Sequence, residues 1–168
     1  SALIENVLLQ NGRIDAIGMQ YHLFYRAENY FAATRRLFDE KRLLAALDNY
    51  AAFGKPMHIT EVTVPAFTEE AADEQSQADV IERLYRLWFS YPNVEQIVYW
   101  NLVDGYAYNA EPGDMSYGEN YFRGGLLGFD MREKPAYQRL RHLIREEWTT
   151  DADVTAGADG IARLRGFY

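Results

Sequence analysis

The stretch Pro56-Met57-His58-Ile59-Thr60-Glu61-Val62-Thr63-Val64-Pro65 constrains this chain more than any other: an apolar run, closed by a proline at each end, with a single carboxylate set into it. Eight residues between prolines are too few for a stable helix. The β-branched side chains at 59, 60, 62, 63 and 64 fit a pleated surface. The run therefore reads as a buried strand that delivers Glu61 to its end. An ionised carboxylate in such a run is costly unless something pairs with it or uses it. Two readings stand at this point: a strand-end glutamate bound to an arginine or to water, or a catalytic nucleophile or base.

Composition narrows the setting. With 168 residues, 48% of them hydrophobic and 15% aromatic, the chain is long enough for one compact domain with a core. A formal charge of −8 argues against a nucleic-acid or anionic-membrane partner, because such surfaces are met by clustered Lys and Arg. A neutral ligand is easier to reconcile. The absence of cysteine excludes disulfides and thiolate metal sites and leaves the compartment open. Neither a membrane-spanning run nor a signal-peptide pattern is present, and the start at Ser1-Ala2-Leu3-Ile4 gives the chain the look of a piece excised from something longer.

Taken in order, Ile14 to His22 follows a turn at Asn11-Gly12 and reads as a strand whose Gln20 and His22, two apart, share a face. Leu43, Leu44, Leu47, Tyr50 and Ala51 recur at helical spacing, and Gly54 and Pro56 supply the stop. Past the Glu61 strand, Val80, Ile81, Leu84, Tyr85 and Trp88 form a second helical stripe, ended by Tyr91-Pro92-Asn93. Val94 to Leu102 is a third strand, and Ala136, Leu140, Leu143 and Ile144 predict a last helix from Pro135 to near Trp148. Strand starts about 40 residues apart suit a repeating strand-helix unit, hence a parallel sheet with right-handed crossovers. Such units bring the strand ends to one edge: Gln20 and His22, then Glu61, then Trp100, with Asp104, Tyr106 and Tyr108 on a long loop running to Gly125. A carboxylate, an imidazole, an amide and aromatic rings are what a sugar site requires, polar partners for hydroxyls and flat faces for ring C–H surfaces. Residues 149–160 read as a small-residue, acidic linker, and Ile161 to Tyr168 as an alternating strand.

In four phrases the sequence resembles the family-10 glycoside hydrolases, the endo-β-1,4-xylanases: Ile14 to His22, Ile59-Thr60-Glu61, Ile97-Val98-Tyr99-Trp100 with Asp104, and Gly125-Leu126-Leu127-Gly128-Phe129-Asp130 running into Lys134-Pro135-Ala136-Tyr137. The resemblance covers roughly residues 10–147. It implies an α/β fold, the C-terminal part of a (β/α)8 TIM barrel comprising about strands six to eight with their helices, over residues 1–148. It further implies a retaining β-glycan hydrolase that needs no cofactor, acts on a xylan-like β-1,4-linked polysaccharide or oligosaccharide and is secreted or held at the cell surface. By the same resemblance Glu61 is the nucleophile, His22 its hydrogen-bond partner, Gln20 a neighbouring polar contact, Trp100 the platform under the sugar, and Asp104 and Tyr108 further substrate contacts. The chain departs from the family at two places, with Thr63 where an Asp usually orients the histidine and Asn101 where a Gly usually follows the tryptophan.

A rival reading from another class is a carbohydrate-binding or interaction module that keeps the fold without turnover, and Thr63 is the feature that favours it. His58 and Glu61 do not suggest a metal site, since three residues along a strand turn their side chains to opposite faces and zinc takes three or four converging ligands. The resemblance places the second catalytic carboxyl upstream of residue 1. The chain alone is therefore expected to be inactive, and to pair with the rest of a barrel or with another copy. Residues 161–168 are a candidate start of an appended β domain.

Overall fold

A computed structural model of the chain describes residues 1–167. In chain order the elements are α1 (Ala2–Leu9), β1 (Ile17–His22), α2 (Ala27–Thr34), α3 (Glu40–Ala51), β2 (Met57–Thr63), α4 (Ala71–Phe89), β3 (Val94–Ile97) and α5 (Pro135–His142), with a 3-10 turn at Gly118–Phe122. The three strands form one parallel sheet in the order β1-β2-β3. Each strand is followed by helical crossover or cover, the connection a parallel pair requires. Past β3 the sheet is extended by a parallel bridge between Val103 and Leu127.

Local chemistry accounts for the boundaries. The Asp39 carboxylate accepts the Lys41 amide at 3.0 Å and caps α3, and the turn that follows the helix closes on Gly54 in the left-handed region (φ 63°). Pro135 occupies the first turn of α5, where its missing N–H costs nothing. A Cβ at Gly18 would lie 3.1 Å from the Thr60 methyl, so glycine is what lets β1 sit this close to β2. The core lies between sheet and helices, with Met57, Ile59 and Val62 of β2 facing Ile81, Leu84 and Trp88 of α4 and Ala136 and Leu140 of α5. Trp88 is held edge-on by Tyr21 and Tyr85, at ring-centroid distances of 5.3 and 6.1 Å. Among the described residues no helix is long and apolar enough to cross a membrane.

Several expectations are revised. β3 ends at Ile97 rather than at Leu102, yet the ladder continues in single steps, with Val98 N–H donating to the Ile59 carbonyl and Trp100 N–H to that of Val62, each at 2.8 Å. The last helix changes its winding at Leu143, where the next turn widens and Trp148 N–H donates to the Leu143 carbonyl at 2.8 Å. The widening turns Ile144 outward, and Trp148 stacks on Phe89 at 3.9 Å. Helices α1 and α2 lie in segments read from the sequence as start and connection. In α2 only Tyr30, Ala33 and Thr34 turn inward while Phe31 is exposed, too narrow a stripe to declare a period. Residues 161–167 form no strand, since no neighbouring strand offers them a ladder. Phe167 instead folds back, its N–H donating to Thr150 Oγ1 at 2.7 Å and its ring lying 5.5 Å from Phe89. Tyr168, the end of that predicted strand, lies outside the described residues.

Candidate active site

β1 and β2 pair with a register shift between Met19 and Gln20, after which Gln20 stands opposite Glu61, Tyr21 opposite Val62 and His22 opposite Thr63. The irregularity re-aims the side chains past it, and those of the two strands meet in hydrogen bonds. Gln20 Nε2 donates to Glu61 Oε1 at 2.8 Å, and His22 Nε2 lies 2.9 Å from Glu61 Oε2. Each oxygen of the carboxylate thus has its own partner, which fixes the group's rotation. The other imidazole nitrogen, Nδ1, lies 3.0 Å from Thr63 Oγ1. Phe24 stacks on the ring at 4.7 Å with the planes 8° apart, and Trp100 meets it edge-on at 6.2 Å. Glu61 is partly exposed, so a ligand has access to it, whereas Thr63 beneath is buried.

Trp100 is held by a residue with no signal in the sequence. Its Nε1–H donates to Glu119 Oε2 at 2.7 Å, and Asn101 Nδ2 donates to the same oxygen at 3.1 Å. Asn101 adopts φ 67°, a conformation asparagine tolerates better than most side chains, so it keeps the backbone turn of a glycine and adds an anchor. Glu119 N–H in turn donates to the Tyr108 carbonyl at 3.2 Å. Buried Asn120 closes the loop, its Oδ1 accepting from Ala107 N–H at 2.8 Å and its Nδ2 donating to the Glu111 carbonyl at 3.1 Å.

Gln20, His22, Glu61 and Trp100 therefore come together, while the two remaining candidates do not join them. Tyr108 stands on the loop, 71% exposed, and its side chain makes no hydrogen bond among the described residues. Asp104 departs from the expectation of a substrate contact: it is buried, accepting from Lys134 Nζ at 3.0 Å and from Gly125 N–H at 2.7 Å. Lys134 is fully buried as well and also donates to the Arg123 carbonyl at 2.8 Å. Burial pushes the Asp104 carboxyl up and the Lys134 ammonium down, and each charge opposes the shift of the other. The pair ties the two ends of the 104–125 loop together in the interior instead of lining the open face. His58 faces Glu95 at 3.9 Å, and among the described residues no group of His, Asp and Glu could hold a metal ion.

A parallel sheet with helices over it and its polar constellation gathered at the carboxyl ends of the strands is the arrangement of a (β/α)8 barrel, of which this chain forms a part. The chain belongs to glycosyl hydrolase family 10, whose family model matches residues 2–143. Over 147 residues it is 26% identical to endo-1,4-beta-xylanase B of Thermotoga neapolitana, covering 86% of this chain and 38% of that protein. Over 167 residues it is 26% identical to the anti-sigma-I factor RsgI6 of Acetivibrio thermocellus, covering 99% of this chain and 18% of that protein. The crystal structure of xylanase 10B from Thermotoga petrophila in complex with xylobiose superposes with a TM-score of 0.60 at 19% identity, covering 87% of this chain and 41% of that one. The chain thus spans well under half the length of these relatives.

Proposed function

We propose that the complete protein is a retaining endo-β-1,4-xylanase, or a hydrolase of a close β-glycan, with Glu61 as its nucleophile. The observation that carries this reading is the double grip of Gln20 and His22 on the Glu61 carboxylate at an accessible strand end beside Trp100. A carboxylate held by donors on both oxygens presents a remaining lone pair in one fixed direction, which is what attack on an anomeric carbon requires. Retention needs a second carboxyl about 5–5.5 Å away to protonate the leaving oxygen and later to activate water. Asp104 is locked to Lys134, and Glu119 is engaged by Trp100 and Asn101, so neither is free for that role. The family resemblance assigns the acid, like the remainder of the barrel wall, to a part of the protein upstream of residue 1. The complete protein is expected to release xylo-oligosaccharides from xylan, and the 168 residues alone to release none above a blank. Turnover by the isolated chain that disappears with Glu61→Ala would place the acid inside it and refute this division of labour.

Trp100 supplies the sugar platform in this account. Trp100→Ala in the complete protein should weaken binding and lower kcat/KM together, by about 5- to 10-fold with kcat little changed, because stacking of roughly 1 kcal/mol acts on ground and transition states alike. Unchanged kinetics on xylan and on mixed-linkage glucan would make Trp100 a packing residue.

A second reading, a carbohydrate-binding module without turnover, is favoured by Thr63 standing where the family usually has an Asp. It predicts xylo-oligosaccharide binding by the complete protein with no product formed.

A further inference from the structure

The imidazole of His22 sits between two oxygens of different hydrogen-bonding character, Glu61 Oε2 at 2.9 Å from Nε2 and Thr63 Oγ1 at 3.0 Å from Nδ1. An ionised carboxylate only accepts, so the contact to Glu61 requires a proton on Nε2. In the neutral ring that leaves Nδ1 bare, an acceptor in need of a donor. A threonine hydroxyl can be that donor. The Thr63 side chain is buried, and among the described residues its hydroxyl has no other hydrogen-bond partner, so Nδ1 is the one acceptor within its reach. Turning the ring over would put carbon atoms at both contact points and lose both bonds, and the stacked Phe24 and edge-on Trp100 hold it in its plane.

We infer that Thr63 is a positioning residue that selects the Nε2–H tautomer of His22 and so keeps an N–H aimed at Glu61. The hydroxyl donates to Nδ1, the ring donates from Nε2, and the relay ends on the carboxylate. No group in it other than Glu61 has to be charged. A carboxylate at position 63 could not do this, because it would accept Nδ1–H and leave Nε2 without a proton unless the ring gained a second one. The inference rests on the nucleophile reading for its consequence in turnover, but the tautomer itself can be observed without any substrate.

The test is nitrogen NMR of the complete protein with 15N-labelled histidine, the His22 signals being identified by their loss in His22→Asn. The wild type is expected to show a protonated Nε2 and a bare Nδ1 at His22. Thr63→Ser, which keeps the hydroxyl, should show the same pattern and turnover within about twofold. Thr63→Val, of nearly the same shape, should lose the single-tautomer pattern and lower kcat about 5- to 10-fold with little change in KM, the worth of one hydrogen bond made to a group that acts in the transition state. A protonated Nδ1 in the wild type, or a valine variant with the wild-type nitrogen pattern, overturns the inference. So does a serine variant that behaves like valine, since the methyl and not the hydroxyl would then be at work. If instead the nitrogen pattern is as expected while Glu61→Ala retains turnover, the nucleophile reading fails and the tautomer assignment stands.

Discussion

Glu61→Ala in the complete protein is expected to lower turnover of xylo-oligosaccharides by at least about 10⁴-fold, the scale on which removal of a covalent nucleophile is felt. The fold should survive, because Glu61 is partly exposed and the core of β2 is made by Met57, Ile59 and Val62. The loss should fall on kcat, since the carboxylate forms its bond to the anomeric carbon only as the reaction proceeds. Far-ultraviolet circular dichroism and the unfolding midpoint of the variant should match wild type. A variant that keeps a tenth of wild-type turnover would mean that Glu61 is a strand-end carboxylate tied to Gln20 and His22 for structural reasons only.

The second large effect is one of stability. Lys134→Met should destabilise the complete protein by about 3–5 kcal/mol, because it removes the cation from a pair with no access to water and leaves Asp104 buried and charged. The Arg123 carbonyl loses a donor at the same time. Adding Asp104→Leu should recover part of the loss by removing the stranded charge, though Gly125 N–H then lacks its acceptor. Denaturant unfolding of both variants decides this: a single variant within about 1 kcal/mol of wild type would mean that the pair does not hold the loop.

The contrast between these two carboxylates shows what the sequence makes legible. Glu61 stands out because its neighbours are β-branched and bounded by prolines, so the strand and the oddity of a charge in it are both visible in ten residues. His22 and Gln20 follow from period two along β1, and their meeting with Glu61 from parallel pairing. Asp104 lies at a strand end too, and by position alone it is indistinguishable from a ligand contact. Its fate is decided by Lys134, 30 residues away, through a turn of chain whose path local pattern does not encode. Glu119 is hidden for the same reason, in a loop where acids are common and the donors from Trp100 and Asn101 appear only once the chain has closed. Thr63 is visible as a departure from the family pattern, but its hydroxyl acquires a role only through the register shift that sets His22 opposite it. Terminal elements fail differently: the alternation of residues 161–167 is that of a strand, but a strand needs a partner to share its ladder.

The central claim, that Glu61 forms the glycosyl-enzyme bond, is tested most directly by trapping that bond. The complete protein, incubated with a 2-deoxy-2-fluoro xylobioside bearing a good leaving group, digested and analysed by mass spectrometry, should carry one fluoroxylobiosyl group on the peptide containing Glu61, with activity lost in step with labelling. A label on a different carboxylate, or labelling of the Glu61→Ala variant at the wild-type rate, would contradict the account.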